Sequence, residues 1–522
     1  LSLYNPPTVP EEPMPTITTT LGQLEGLQRE GHQAYLGIPF AAPPNGELRF
    51  KAPQPATPWD GVRPAKEWEK AARQTEHPIP GFAASGPQDE DCLYLNVYTP
   101  AADDRKRPVL FWIHGGGFTH GTAAEPLYDG GPLATRGDVV VVSINYRLGA
   151  FGYLWLGDHL PNAGLSANCG QLDAIAALEW TRDNIAAFGG DPQNVTIFGE
   201  SAGAASVGTL LAMPAAKGLF HKAILQSGAG RAATRQRGAE IAGMLLAELG
   251  LAENPAGILT VSADKLLEAQ TSVAAKAGRA GGPLYGPVVD GVTLLEQPYK
   301  AVAGGSAANV PVIIGTNRDE TKLFAATMRR EQLDAAALAK AVSAAVPRAT
   351  PEQVTALIET YRQSRSSKGV AHTNLDIMDA INTDAGFKHN STRLALAQRQ
   401  HQPDTYVYLF TYESPARGGS LGACHALEMP FVFGTTKAPT QDRFVGSGPD
   451  VERLSANMMD AWISFARTGK PGHEGIGPWE PVEETTRPTM VFDRQSGLQH
   501  DPYGEERQAV EALVQGEAAI RL

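Results

Sequence analysis

The arrangement of apolar and polar residues predicts strands and helices that alternate through the middle of the chain. Val139–Ile144 is an almost continuous apolar run, which is typical of a strand covered on both faces. Leu172–Phe188 is predicted to be a helix that ends at Gly189-Gly190, and Arg453–Thr468 a helix with one apolar face. Further strands are predicted at residues 93–98, 109–113, 195–198, 223–226, 310–314 and 406–410. The alternation indicates an α/β protein with a large, mostly parallel sheet and helices on both faces.

The two ends of this pattern differ from its middle. Residues 1–15 contain five prolines and are predicted to form an extended tail, whereas residues 16–522 are predicted to form a single domain. Ile17–Pro39 alternates around glycines, which predicts short antiparallel strands with tight turns. Residues near 238–280 and 321–400 are rich in alanine and helix formers, so we expect helical insertions there.

Composition excludes several classes of protein. The chain has 522 residues, of which 42% are hydrophobic and 19% are charged, and this is enough for a large core. A net charge of -12 argues against nucleic acids and anionic membranes as partners. No run of about 18 apolar residues predicts a membrane span. The absence of an initiator methionine favours a mature end after a removed signal, and secreted and cytoplasmic locations both stay open.

A short glycine-rich motif carries the first chemical signal. Gly199-Glu200-Ser201-Ala202-Gly203 follows an apolar strand and precedes a helix-forming run that stops at Pro214. This is the G-x-S-x-G pattern of a nucleophile elbow, in which a strained turn lifts the serine hydroxyl clear of the sheet. The flanking positions must be small because they approach each other closely. A glycine-rich turn with a chance serine is the alternative explanation.

A second glycine run lies directly after a predicted strand. Gly115-Gly116-Gly117 follows Trp112-Ile113-His114, and consecutive backbone amides without side chains can approach one oxygen atom. Such amides stabilise the oxyanion of an acyl-transfer intermediate. A phosphate-binding loop is the alternative, but no G-K-[ST] follows.

A serine nucleophile also needs a base and an acid that orients the base. In a hydrolase of this topology the acid and then the histidine follow the serine along the chain. Asp319 and Glu320 come just after a predicted strand, and six of the 12 histidines follow them. Chain order does not choose among His372, His389, His401, His425, His473 and His500.

Further motifs occur in the order found in one family. They are EDCLYLN from Glu90, INYR from Ile144, AFGGDP from Ala187, LQSG from Leu225, GTNRDE from Gly315 and HALEMPFVFG from His425. From about Leu21 onwards the chain therefore resembles the type-B carboxylesterases, the family that includes the cholinesterases. The resemblance implies an α/β-hydrolase fold whose helical insertions form an active-site gorge, without a metal or cofactor, in a monomer or weak homo-oligomer.

The resemblance also implies roles for individual residues. Ser201 would be the nucleophile, His425 the general base and acid, and Glu320 the orienting acid. The oxyanion donors would be the amides of Gly116, Gly117 and Ala202. Two further features are implied: a second layer of Glu200 and Ser227 near the base, and a structural ion pair between Glu90 and Arg147. Because His425 must be neutral, kcat/KM is expected to fall as the pH drops through roughly 6 to 7.

The chain departs from the cholinesterases at its predicted substrate pocket. Phe82 stands where these enzymes have a tryptophan that receives choline, so choline esters are expected to be poor substrates. Gly281 and Pro283 stand where aromatic rings narrow the acyl pocket, and Tyr285 is a candidate to refill that space. Cys92 has no upstream partner, so no intramolecular disulfide is expected.

Two classes of function follow from these features. The first is a serine ester hydrolase that forms an acyl-enzyme on short- to medium-chain or aromatic esters, with a lipase- or amidase-like variant as a sub-case. The second is a non-catalytic interaction protein on the same fold. The nucleophile, acid, histidine and glycine run are all present, which favours the hydrolase.

Overall fold

The computed structural model describes residues 15–77, 79, 82–277, 284–325 and 333–514. Within these ranges the main sheet has 11 strands, numbered here in chain order. They are β1 (Leu27–Arg29), β2 (His32–Pro39), β3 (Tyr94–Thr99), β4 (Arg107–Ile113), β5 (Val140–Ile144), β6 (Gly190–Glu200), β7 (Lys222–Gln226), β8 (Val312–Asn317), β9 (Thr405–Phe410), β10 (Pro488–Phe492) and β11 (Gly497–His500).

The spatial order of the strands is β11-β10-β9-β8-β7-β6-β4-β5-β3-β2-β1. Every pair from β10 through to β5 is parallel. The pairs at the two edges are antiparallel. Parallel neighbours end at the same edge of the sheet, so the loops after β4, β6, β7 and β8 lie close to one another.

The α-helices lie between and around these strands. They are α1 (Gly131–Gly137), α2 (Gly149–Tyr153), α3 (Cys169–Asn184), α4 (Ala202–Leu210), α5 (Arg235–Glu248), α6 (Ala263–Ala277), α7 (Pro298–Ala303), α8 (Thr321–Ala325), α9 (Ala335–Ala345), α10 (Pro351–Ser367), α11 (Asn374–Thr383), α12 (His389–Arg399), α13 (Met429–Phe433), α14 (Gln441–Val445), α15 (Pro449–Thr468) and α16 (Gly504–Glu511). None of those in the described ranges combines the length and apolarity that a membrane span requires.

The central strands are buried on both faces, and strand β4 shows how. Side chains alternate along a strand, so Phe111 and Ile113 pack in one hydrophobic layer while Leu110 and Trp112 pack in the opposite one. Every residue of β4 is buried. This explains why residues 109–113 of β4 form a continuous apolar run and not an alternating one.

The predicted strands and helices are confirmed, with small changes at their ends. The strand predicted at 310–314 is β8 and extends to Asn317, and the helix predicted at Arg453–Thr468 starts earlier, at Pro449. The two expected insertions contain α5 and α6 in the first and α8 to α12 in the second. The predicted tail, residues 1–15, lies outside the described residues except for Pro15.

The ion pair expected between Glu90 and Arg147 does not form. The buried Arg147 side chain instead donates to both carboxylate oxygens of Asp173 on α3, at 2.9 and 2.6 Å. Glu90 accepts from Arg49 Nε at 2.7 Å. Asp173 is fully buried beside Arg147 and forms the ion pair with its guanidinium, whereas Glu90 pairs with Arg49. The three cysteines, Cys92, Cys169 and Cys424, are buried and free, as predicted.

Candidate active site

Ser201 occupies a strained turn between strand β6 and helix α4. Its backbone φ of 57° and ψ of -120° lie outside the regions that residues with a side chain normally adopt. A Cβ atom at Gly199 would lie 2.5 Å from the carbonyl carbon of Gly203, and one at Gly203 would lie 2.0 Å from the oxygen of Ile113. The motif therefore needs both glycines for packing. The Ser201 amide donates to the oxygen of Gln226 on β7 at 2.8 Å, which fixes the turn to the next strand.

Glu320 and His425 meet beyond the ends of strands β8 and β9. Glu320 Oε2 lies 2.6 Å from His425 Nδ1. The other Glu320 carboxylate oxygen accepts a hydrogen bond from the backbone amide of Asn317 at 2.7 Å, and this second bond fixes the orientation of the carboxylate. When the ring is neutral and Nδ1 carries the proton that faces Glu320, Nε2 is the ring nitrogen with a lone pair. Nε2 has no hydrogen bond of ordinary geometry to any described residue, Ser201 included, although a Glu200 carboxyl oxygen lies 3.0 Å away.

The neighbouring acid, Asp319, has a different set of partners. It is buried and pairs with Arg318 at 2.8 Å and Arg365 at 3.2 Å. Burial opposes the charged form, but the three cations nearby, Arg318, Lys322 and Arg365, outweigh it and hold the pKa of Asp319 well below its usual range. Chain order left Asp319 and Glu320 both open as candidates, and the structure brings only Glu320 to His425.

Two more carboxyl groups lie near the histidine. Glu200 Oε1 is 3.0 Å from His425 Nε2, and burial raises the pKa of Glu200 to about 8. Burial, together with the charge of Glu320, raises the pKa of Glu428 to about 7. Burial alone would lower the pKa of His425, but the charges of Glu200 and Glu320 outweigh it and raise this pKa to about 9. The expected pH limb at 6 to 7 assumed an ordinary histidine, and the raised pKa moves this prediction to a higher pH.

The glycine run after strand β4 forms a tight loop beside Ser201. Gly116 and Gly117 have φ angles of 101° and 63°. A Cβ atom at Gly116 would lie 2.2 Å from the oxygen of His120, so no other residue fits there. Neither glycine amide donates a hydrogen bond to another described residue. Ala202 is the first residue of α4, where backbone amides have no acceptor inside the helix.

Side chains from outside the motif hold this loop in place. Gln74 accepts from the Gly121 amide and donates to the Gly121 oxygen, both at 2.9 Å. The His114 ring stacks on Tyr146, and the Tyr146 hydroxyl donates to the His114 oxygen at 2.8 Å. Burial lowers the pKa of His114 to about 4, so this ring is neutral near pH 7. The loop is thus rigid and carries no titrating charge of its own at that pH.

A cavity of about 350 Å³ opens in front of Ser201. Gly117, Ala202 and Ser227 line it beside the serine, and most of its remaining wall is apolar. Phe387 also lines the cavity and lies 5.2 Å from the His425 ring, centroid to centroid. This phenylalanine belongs to a π-helical turn, Asp384–Lys388, between α11 and α12. Such turns often occur at functional sites.

Of the four residues predicted for the substrate pocket, one lines the cavity, one does not, and two lie outside the described residues. Tyr285 lines the cavity, is buried, and its hydroxyl has no hydrogen-bond partner among the described residues. Phe82 does not line this cavity. It stacks on His77 and meets Phe324, which in turn lies 5.0 Å from the His425 ring. Gly281 and Pro283 lie outside the described residues.

Several residues of the site could not be found from motifs. Gln74 lies in a segment without periodicity, and its role depends on contacts with a loop 47 positions away. Asn317 lies within the quoted GTNRDE motif, yet its side-chain bonds to the Cys424 oxygen and to Glu428, at 2.7 and 2.6 Å, have no sequence signal. The arginines that line the cavity likewise lie outside every motif.

The sheet order, the strained serine between β6 and α4, and the Glu–His pair beyond β8 and β9 together define an α/β-hydrolase. The chain belongs to the carboxylesterase family, whose model matches residues 13–510.

Similar proteins of known activity cover nearly the whole chain. It is 39% identical to the para-nitrobenzyl esterase of Bacillus subtilis (strain 168), over 94% of this chain and 97% of that protein. It is 35% identical to the phenmedipham hydrolase of Pseudarthrobacter oxydans, over 93% and 96%. A crystal structure of a Geobacillus stearothermophilus carboxylesterase superimposes with a TM-score of 0.83 at 39% identity, covering 95% of this chain and all of that one. The protein is a carboxylesterase, and these names support ester hydrolysis over the non-catalytic alternative.

Proposed function

We propose that this carboxylesterase works through an acyl-enzyme on Ser201, with His425 as general base and acid and Glu320 as the orienting acid. The observation that carries the proposal is the 2.6 Å contact between Glu320 and His425 Nδ1, which leaves Nε2 as the acceptor nitrogen. Ser201 contributes a strained turn that faces the cavity. The proposed substrates are short- to medium-chain or aromatic esters.

In the first half of the reaction the Ser201 hydroxyl attacks the ester carbonyl and His425 Nε2 takes its proton. The alcohol then leaves with that proton, and an acyl group stays on Ser201. In the second half water attacks the acyl group, and His425 again acts first as base and then as acid. The Glu320 carboxylate stabilises the imidazolium that forms in each half.

The amides of Gly116, Gly117 and Ala202 are the proposed oxyanion donors. The two glycine amides have no acceptor among the described residues, and Ala202 lies at the amino end of α4. Preorganised donors of this kind cost no rearrangement when the charge develops on the substrate oxygen. Losing one donor typically slows kcat by about 10²–10³-fold.

The cavity supports acyl groups longer than acetyl. Its volume of about 350 Å³ lies within the usual range of small-molecule sites, and its wall is largely apolar. Each methylene that is buried against such a wall contributes about 0.8 kcal/mol. The preference is therefore graded and not absolute.

The test is the steady-state rate of Ser201→Ala with p-nitrophenyl butyrate. Without the nucleophile, kcat is expected to fall by at least about 10³-fold while the protein stays folded. Ser343→Ala is the matched control, because Ser343 lies on the exposed side of α9, where its hydroxyl donates to the backbone oxygen of Ala339. Retention of more than about a tenth of the activity in Ser201→Ala would overturn the proposal.

A further inference from the structure

The cavity in front of Ser201 is lined by three arginines. Arg231, Arg237 and Arg393 contribute to its wall, and none of the described residues that line it is an aspartate or a glutamate. The chain as a whole carries a net charge of -12, so this local excess of positive charge runs against its average. An apolar ester would gain nothing from it.

Arg231 has the most unusual environment of the three. It is half-buried and forms no ion pair, hydrogen bond or ring contact with any described residue. Burial lowers the pKa of its guanidinium, but an arginine stays charged at any physiological pH. Desolvating a cation without a partner is costly, and an incoming anion would offset that cost.

Arg231 is also held close to the nucleophile. Gly228 packs against the turn that carries Ser201, so tightly that a Cβ atom at Gly228 would lie 2.5 Å from the backbone carbonyl oxygen of Ser201. Arg231 lies three positions after Gly228, so their Cα atoms are at most about 11 Å apart. That span is within reach of a group attached to the substrate some atoms away from the scissile bond.

The other two arginines approach the same cavity from separate helices. Arg237 lies in the first turn of α5 and contacts Glu240 at 3.2 Å. Arg393 lies on α12 with its guanidinium 4.2 Å from the centre of the Tyr299 ring. Arginine edges match a carboxylate with two parallel hydrogen bonds.

We infer that the preferred substrates of this enzyme are esters that carry a carboxylate group, which Arg231 binds with support from Arg237 and Arg393. The natural substrates would then include monoesters of dicarboxylic acids or esters whose alcohol part carries a carboxylate. This inference rests on the proposed function, because the ester carbonyl must still lie at Ser201. No bond to the carboxylate is made or broken, so it serves only to position the ester.

The experiment compares charged and neutral esters of equal length. The first pair is mono-p-nitrophenyl adipate and p-nitrophenyl hexanoate, which places the carboxylate on the acyl side. The second pair is 4-butyryloxybenzoate and 4-butyryloxybenzamide, which places it on the alcohol side. The readout is the ratio of kcat/KM for the charged ester to that for the neutral ester, in the wild type, in Arg231→Gln and in Arg235→Gln.

Arg235→Gln is the matched control. Arg235 is close by on the same helix as Arg237, but it is exposed, pairs with Asp158 and does not line the cavity. For the pair whose carboxylate lies on the same side of the ester as in the natural substrate, the wild-type ratio of charged to neutral kcat/KM is expected to be one or more. This ratio should fall at least about tenfold in Arg231→Gln but not in Arg235→Gln. The pair that responds tells which side of the ester carries the carboxylate.

A ratio well below one that Arg231→Gln leaves unchanged in both pairs would overturn the inference. If Arg231→Gln does not fold, the wild type decides the question, because screening between about 10 and 500 mM NaCl should lower the ratio several-fold. A ratio independent of salt would then overturn it. Absence of wild-type activity on p-nitrophenyl hexanoate would instead count against the proposed function.

Discussion

His425 Nδ1 lies 2.6 Å from Glu320 Oε2, and neither side chain exposes any surface to solvent. The two residues are 105 positions apart in sequence and come together because β8 and β9 are parallel neighbours. The backbone reinforces this pairing, since the backbone amide of His425 donates to the backbone carbonyl oxygen of Glu320 at 3.3 Å. A buried charged hydrogen bond of this kind fixes both the orientation and the tautomer of the ring.

Replacing Glu320 should impair catalysis, whereas replacing the adjacent Asp319 should impair stability. Glu320→Gln is expected to lower kcat by about 10³–10⁴-fold with little loss of stability, because the amide cannot stabilise the imidazolium. Asp319→Asn is expected to lower the free energy of unfolding by about 3–5 kcal/mol, because it removes the buried carboxylate that pairs with Arg318 and Arg365. Paired measurements of kcat and of urea unfolding check this. Equal kinetic losses in both variants would contradict the assignment.

The pH dependence should reflect the carboxylates around His425. The residue must be neutral to accept a proton, so kcat/KM falls as the pH drops through its pKa. Burial lowers this pKa, but Glu200 and Glu320 raise it to about 9, which places the acidic limb above the ordinary histidine value. Glu200→Gln removes one of these charges and should move the limb to lower pH.

The matched control for this profile is Glu240→Gln, because Glu240 is an exposed residue of α5. The measurement is kcat/KM for p-nitrophenyl butyrate from about pH 5 to 10, corrected for spontaneous hydrolysis. A limb that lies at the same pH in the wild type and in Glu200→Gln would argue against this electrostatic origin.

The glycine loop should be far more sensitive to substitution than an ordinary turn. Gly116→Ala places a methyl group 2.2 Å from the His120 oxygen, so the backbone must move and kcat should fall by at least about 10²-fold. Gly218→Ala is the comparison, because Gly218 also has a positive φ, 84°, yet nothing lies within 4 Å of the added atom. That variant should lose only about 1 kcal/mol of stability and keep its kcat. Full activity in Gly116→Ala would exclude this loop from oxyanion binding.

Among neutral esters, kcat/KM should rise from acetyl to butyryl and hexanoyl. The largely apolar cavity gains about 0.8 kcal/mol, or roughly fourfold, for each methylene it buries. Tyr285→Ala should extend the rise to longer chains, because this buried ring occupies part of the wall. The check is a series of p-nitrophenyl acetate, butyrate, hexanoate and benzoate. Acetate as the best substrate would refute the assignment of the cavity to the acyl group.

Most of the central sheet could be predicted from the sequence, because its strands are buried on both faces and appear as continuous apolar runs. Strands β10 and β11, the last two at one end of the sheet, were not predicted; β10 begins with a proline, and β11 is a four-residue edge strand with no buried residue. Ordered motifs indicated Ser201 and the glycine loop because each needs particular residues at fixed spacing. The choice of Glu320 over Asp319 came only from family resemblance, since both acids follow the same strand.

Long-range polar contacts were beyond prediction. The Arg147 side chain finds Asp173 and not Glu90, which depends on how α3 packs against the loop after β5. The pKa of His425 depends on the convergence of Glu200, Glu320 and Glu428, which come from separate parts of the chain. The arginines of the cavity come together only in three dimensions.

The most direct test of the central claim is the site of covalent labelling by an organophosphate. Such a reagent phosphorylates an activated serine, and here the account predicts one adduct per chain, on Ser201, with loss of activity in proportion to labelling. Peptide mass spectrometry after partial inactivation gives both quantities. Prior protonation of His425 at low pH should slow the labelling. An adduct on another serine, or full activity in the labelled protein, would contradict the account.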